Sequence, residues 1–249
     1  MSKVKINPEG KVVLISGSNR GIGRALTIEF LENGAKKVYA GARNTQTLAD
    51  LKEKYGERLV PVTIDVTDQN TIDQAAELAG DVDILINNAG VLSPGGFLGN
   101  QAIENLNYHF KVNVLGLINL TNAFVDKLRG KETAAIINVS SVAGLANMPV
   151  AGTYSASKAT VHSITQGFRA ELSNENILVA GVYPGPIDTD MAKDFDMDKD
   201  SPENLAKNVI QALIEGKEDI FPDTMSHQVG QQYQSNPKAV EEAFAAYLG

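Results

Sequence analysis

Short apolar runs alternate along the chain with longer stretches in which apolar positions recur every three or four residues. Val12-Val13-Leu14-Ile15 is a continuous, β-branched-rich run, the pattern of a strand buried on both faces of a parallel sheet. Helical periodicity follows over residues 24–33 and stops at Gly34, a good helix C-terminal signal. The alternation continues with strands predicted over 37–41, 59–64, 83–86, 135–139 and 178–183. Helices are predicted over 45–55, 71–79 and 101–128, with a second long helix bearing Tyr154 and Lys158. An apolar-periodic tail covers 237–248. Repeated strand–helix alternation implies an α/β fold, a doubly wound parallel sheet with helices on both faces. Ligands of such sheets lie beyond the carboxyl ends of the strands.

The first of those ends is the most informative. The run at 12–15 leads directly into Ser16-Gly17-Ser18-Asn19-Arg20-Gly21-Ile22-Gly23, and a helix follows. Glycines at 17, 21 and 23 permit a tight turn and close approach of backbone to a ligand, and the helix N-terminus offers free N–H groups to a pyrophosphate. No Gly-Lys-Ser/Thr follows, which removes the Walker-type alternative. A site for NAD usually places an Asp or Glu about 20 residues past the glycines, on the ribose 2′-hydroxyl. Here Arg43 stands twenty positions after Gly23. A guanidinium grips a 2′-phosphate where a carboxylate would repel it, and Arg20 adds a second positive charge. NADP(H) is therefore expected in preference to NAD(H).

Tyr154 and Lys158 are four positions apart and share one face of their helix. An ammonium beside a phenol favours the phenolate and is expected to pull the phenol below its usual value near ~10. Such a pair suits general acid/base work on a carbonyl or alcohol oxygen. Ala156, Ala159, Ser163 and Gly167 on the same helix permit close packing by another element.

Composition narrows the function classes. The chain has 249 residues, 43% of them hydrophobic, a net charge of -8 and no cysteine. That length suits one domain over 1–249, with 190–215 read as a substrate lid. The missing cysteines exclude a disulfide frame, thiolate catalysis and Cys-based metal sites, and they agree with a cytoplasmic location. His109, His162 and His227 are too scattered for a metal motif, so each is read as a surface or packing residue and no metal is expected. The acidic balance argues against nucleic acid and anionic membranes as partners. No apolar run approaches the ~20 residues of a membrane span, and no signal-peptide core follows the polar amino terminus.

Gly17-x-x-x-Gly21-x-Gly23, Asn87-Asn88-Ala89-Gly90, Asn113, Ser141, Tyr154-x-x-x-Lys158 and Pro184-Gly185, in this order and spacing, resemble the short-chain dehydrogenase/reductase family over nearly the whole chain. The resemblance implies a single-domain Rossmann-like fold and hydride transfer between a nicotinamide cofactor and a small-molecule carbonyl or alcohol. It implies Tyr154 as proton donor in reduction and base in oxidation, with Lys158 lowering its pKa and bonding the nicotinamide ribose. Ser141, thirteen residues before Tyr154 and so selected over Ser140, would bond the substrate oxygen. Asn113 would hold a water linking Lys158 to solvent. Gly17, Ser18, Asn19, Arg20, Gly21, Ile22 and Gly23 would face the pyrophosphate and adenosine ribose, with Asp65 and Val66 bounding the adenine. Asn88, Ala89 and Gly90 would lie beside the central cofactor, and Pro184, Gly185, Ile187 and Thr189 near its carboxamide end. Transfer of the pro-S hydride and a homodimer or homotetramer are further implications.

Two features depart from the family's commonest pattern: Ser16 stands where threonine is usual, and the carboxyl terminus lacks a glycine-rich final strand motif. Candidate substrate walls are 93–98, 142–148, Tyr183 and 191–200, with Leu145, Met191 and Phe195 expected to line an apolar pocket while the acids of 194–200 face water. An NADPH-dependent carbonyl reductase, reversible to a secondary-alcohol dehydrogenase, is the leading expectation. The alternatives are a non-catalytic NADP(H) sensor on the same fold and a nucleotide-sugar epimerase or dehydratase, for whose larger substrate domain too little chain follows Thr189.

Overall fold

The computed structural model describes residues 4–194 and 196–248. Seven parallel strands form one sheet: β1 Val12–Ser16, β2 Lys37–Ala42, β3 Leu59–Thr63, β4 Ile84–Asn87, β5 Ala134–Val139, β6 Ile177–Val182 and β7 Asp219–Ile220. Their order is β3-β2-β1-β4-β5-β6-β7. The direction of winding reverses between β1 and β4, so the loops leaving these two strands flank a crevice. The helices are α1 Gly21–Glu32, α2 Ala49–Tyr55, α3 Gln69–Leu78, α4 Ala102–His109, α5 Gly116–Leu128, α6 Gly152–Glu171, α7 Pro202–Glu215, α8 Thr224–Ser235 and α9 Pro237–Ala245.

Two cores account for the unbroken apolar character of β1. Val13 and Ile15 pack in one cluster with Leu26 and Phe30 of α1 and Leu205 and Leu213 of α7. Val12 and Leu14 pack in the other with Ile72 of α3 and Leu120 and Phe124 of α5. A strand covered on both faces has no polar side to show. Phe30 and Phe124 are both fully buried, so truncating either to alanine costs about 3–5 kcal/mol.

The structure differs from the periodicity in several places. Residues 101–128 form two α-helices joined by a π-helical turn, Phe110–Leu115, which carries Asn113. A single π turn shifts the helical phase by only about one residue, too little to stand out from a 3.6-residue pattern in one sequence. Residues 45–48 wind as a 3-10 turn before α2. The two-residue β7 is too short to leave a periodic signal. The polar stretch before 237 is α8, started by a capping box between Asp223 and Ser226.

The expected lid at 190–215 divides. Ser201 caps α7, Pro202 opens it, Gly216 closes it in a left-handed conformation, and its apolar side belongs to the core. What is left is a loop with a closed base: Asp188 N–H donates to Asp200 O at 2.9 Å and Asp200 N–H to Pro186 O at 3.1 Å. On α6, Ala159, Ser163 and Gly167 are exposed, so no other described element of this chain packs over them.

Candidate active site

The glycine loop has a separate reason for each glycine. Gly17 and Gly21 adopt φ of 71° and 51°, a region that side chains disfavour. Gly23 is ordinary in φ, but a Cβ there would collide with the Gly17 carbonyl and the Asn88 side-chain amide. Asn88 crosses from the β4 loop to donate to the carbonyl oxygens of Ser16 and Gly17. The buried Ser16 hydroxyl accepts from the N–H groups of Asn88 and Ala89, the work for which a hydroxyl at this position suffices. α1 then begins with no side chain capping its first turn. Its N–H groups are left for an anion in the crevice, which fits the pyrophosphate of a dinucleotide.

That crevice is a cleft of about 560 Å³. Arg43, Asp65 and Val66 line it at the ends of β2 and β3, and Ser141, Tyr154 and Lys158 line it beyond β5. Arg43 is exposed and makes no ion pair among the described residues. Burial pushes Asp65 up, but hydrogen bonds from Thr67 and the charges of Arg43 and Lys111 outweigh it and leave the carboxyl below its usual range. Arg20 turns from the glycine loop to Asp190, 3.3 Å away and exposed.

α6 supplies the chemistry-bearing pair. Tyr154 and Lys158 are both buried, at 8% and 5% exposure, one turn apart on the face toward β5. Lys158 Nζ donates to the Val139 carbonyl at 2.8 Å and lies 5.6 Å from the centre of the Tyr154 ring. Opposite, Ser141 lies two residues past the end of β5 and opens a tight turn by accepting from Ala143 N–H at 3.1 Å. Gly144 in that turn touches the α6 backbone so closely that a Cβ would fall 2.6 Å from the Lys158 carbonyl oxygen. Ser140 fastens the same junction through a 3.0 Å bond from its hydroxyl to that carbonyl. The turn is thereby pressed against α6, with the Ser141 hydroxyl beside Tyr154.

The protonation expected from the sequence is corrected here. Burial pushes the Tyr154 phenol up to about 12, with the Ser141 hydroxyl pulling weakly the other way. Burial also pushes Lys158 down to about 8. Both groups lose water together, so the dry site favours the neutral phenol more than the ammonium favours the phenolate. The Tyr154 phenol therefore keeps its proton at neutral pH in this structure.

The remaining predicted residues divide between wall and support. Gly17, Asn19, Arg20, Gly21, Ile22, Gly23, Asn88, Ala89, Gly90, Pro184, Gly185, Ile187, Thr189 and Met191 line the cleft. Ser18 does not: it is buried, and its hydroxyl donates to Ile15 O at 2.8 Å, closing the turn from behind. Asn113 is also behind the wall, accepting from Val91 N–H at 2.8 Å and donating to Ser157 Oγ at 3.0 Å. Leu145 packs under the tail with Val142, Val229, Val240 and Phe244 instead of facing the cleft, because its short turn directs it toward α8 and α9. Tyr183 is fully buried, bonded to His162 at 2.7 Å and stacked on Phe221, so it is no substrate wall. Phe195 lies outside the described residues.

Sequence reading missed three kinds of residue. Leu92, outside every expected wall, completes an apolar stretch with Met148, Met191 and Met197, which fall within the expected walls 142–148 and 191–200; no spacing links Leu92 to them. Asp223 caps α8 and accepts from Gly185 N–H at 2.8 Å, tying the tail to the Pro-Gly turn. His109, read as a packing residue, is fully buried with its ring edge-on to Tyr154 at 5.9 Å. Among the described residues no group of His, Asp or Glu is placed to hold a metal, and no helix is long and apolar enough to cross a membrane.

A parallel sheet wound in this order, a glycine turn under an uncapped helix, and a Ser–Tyr–Lys set at one cleft define a dinucleotide-dependent oxidoreductase. The chain belongs to the short-chain dehydrogenase family, whose model matches residues 11–200. Among its relatives is the 3-oxoacyl-[acyl-carrier-protein] reductase of Thermotoga maritima, 36% identical over 192 residues, which are 74% of this chain and 77% of that one. A short chain dehydrogenase from Burkholderia cenocepacia J2315, solved in complex with NADP, superposes with a TM-score of 0.89 at 34% identity, covering 96% of this chain and 99% of its own. A 3-ketoacyl-(acyl-carrier-protein) reductase from Brucella melitensis, complexed with NADH, gives a TM-score of 0.76 at 27% identity, with 83% and 91% covered.

Proposed function

We propose that this protein uses NADPH to reduce an apolar ketone or aldehyde to an alcohol, and runs in reverse as a secondary-alcohol dehydrogenase. The observation that carries the reading is the Tyr154 phenol, kept protonated by burial and set beside Ser141 in the cleft that the glycine loop also lines. When bound, the nicotinamide supplies the hydride in reduction and takes it up in oxidation. Tyr154 delivers its proton to the carbonyl oxygen as negative charge develops there, and the Ser141 hydroxyl donates a hydrogen bond to the same oxygen. Lys158 holds positive charge beside the phenol and would bond the ribose of a bound cofactor, and Asn113 fixes the loop at Val91 from behind. The residues 17–23 and 88–90 would carry the pyrophosphate and the central cofactor, Asp65 and Val66 the adenine, and Pro184, Gly185, Ile187 and Thr189 the carboxamide end.

NADPH is preferred over NADH in this reading because Arg43, unpaired with any acid among the described residues, stands at the end of β2 where a 2′-phosphate would lie. The Burkholderia relative binds NADP and the Brucella relative NADH, so the preference rests on Arg43. Leu92, Met148, Met191 and Met197 support an apolar substrate. The loop at 188–199 serves as the lid of a single domain in the cytoplasm. The exposed row of small residues on α6 suits a second copy of the chain, as a homodimer or homotetramer. Loss of NADPH absorbance across a panel of neutral and charged carbonyls, run in parallel with NADH, tests the proposal. Selective turnover of apolar carbonyls is expected; equal turnover of charged ones would remove the apolar pocket, and no turnover of any would remove the activity.

A further inference from the structure

We infer that His109 is a positioning residue that locks the substrate-side loop to the proton donor. The inference rests on the reading of Tyr154 as the acid. His109 ends α4, fully buried. Its Nε2 accepts the Ser93 N–H at 2.9 Å, which leaves the ring's proton on Nδ1 when the imidazole is neutral. Burial, and then the nearby charge of Lys158, hold the ring below the usual imidazole range and so keep it neutral. The ring plane meets that of Tyr154 at 74°, edge to face, with centroids 5.9 Å apart.

These contacts close a circuit. The loop anchored at Ser93 runs on to Gly95, whose N–H donates to Val150 O at 2.8 Å and whose carbonyl accepts from Gly152 N–H at 2.9 Å. Gly152 is the first residue of α6, two before Tyr154. His109, Ser93, Gly95, Gly152 and Tyr154 thus form a ring of contacts around the cleft's substrate end, where Val91 and Leu92 line the wall just before the anchor. The imidazole has two separable tasks in it. Its Nε2 fixes the loop that shapes the wall, and its ring edge fixes the orientation of the phenol.

Two substitutions divide those tasks. His109→Phe keeps a ring against Tyr154 and loses the acceptor; His109→Gln keeps an acceptor near the Nε2 position and loses the ring. The first should raise KM for the carbonyl about tenfold with kcat within about twofold, and the second should lower kcat about tenfold with KM nearly unchanged. The dissociation constant of NADPH, read by fluorescence, should stay within about twofold in both, which also reports folded protein. Parent-like constants in both variants, or a loss of activity that follows loss of NADPH binding, would overturn the inference. Tyr154→Phe assayed alongside separates the two layers. If it retains turnover, the acid assignment fails and this inference fails with it. If it is inactive while both His109 variants behave like the parent, only the role of His109 is lost.

Discussion

The Asn88 side-chain amide donates to the carbonyl oxygens of Ser16 and Gly17 at 2.8 and 3.2 Å, so the loop after β4 holds the shape of the loop after β1. Ser16 returns the connection through its hydroxyl, 3.0 Å from the N–H groups of both Asn88 and Ala89. The anion-facing turn is therefore built by two strands together. Asn88→Ala leaves two carbonyls without this donor, a loss of about 1–3 kcal/mol. A lower melting temperature and a weaker NADPH dissociation constant are expected, measured by thermal shift and by titration. An unchanged dissociation constant would mean that the turn holds its shape alone.

Tyr154→Phe removes the phenolic proton from the cleft while keeping the ring that meets His109. Turnover should fall by about 10²–10⁴-fold with NADPH binding nearly intact. Most of the activity surviving in single-turnover measurements would place the proton donor elsewhere.

Arg43→Asp replaces the guanidinium at the end of β2 with a repelling carboxylate. The ratio of kcat/KM for NADPH to that for NADH should drop by about 10–100-fold, the range of one charged hydrogen-bonding contact. A constant ratio would remove Arg43 from the 2′-phosphate site.

Lys158 titrates near 8 because burial disfavours its ammonium, whereas Tyr154 keeps its proton to about 12. Raising the pH through 8 therefore removes the lysine charge first, with the phenol still protonated. Reduction should decline on the alkaline side of about pH 8, and the residual activity of Lys158→Met should lack that limb in a pH profile of kcat. Alcohol oxidation needs the phenolate and should rise with pH over the alkaline range. A reduction rate that is flat between pH 7 and 9.5 would count against control by Lys158.

Six of the strands and the nucleotide turn could be read from the chain because each depends on local signals: β-branched runs, glycines, and a helix directly after them. The unread parts depend on packing between distant segments. Gly23 looks like a flexible turn residue, yet it is required by the Gly17 carbonyl and an amide 65 positions away, Asn88. The direction of the Tyr154 shift was legible only once burial was known, since the lysine's pull and the site's dryness oppose each other. Asn113 stands out in the sequence, but the π turn that turns it toward Val91 has no pattern of its own. Leu145 turns away from the cleft because a side chain just after a three-residue turn faces whichever neighbour covers it, here the tail helices.

Those tail helices carry a last implication. α8 and α9 cover Val142, Leu145 and Met148, and Asp223 holds Gly185, whereas the backbone of the glycine turn is bonded by Ser16 and Asn88, both before position 90. The turn that faces the pyrophosphate and one wall for the other reactant are thus fastened from opposite ends of the polypeptide. Grafting a relative's last thirty or so residues onto this chain is a route to new carbonyl selectivity that leaves the choice of coenzyme alone.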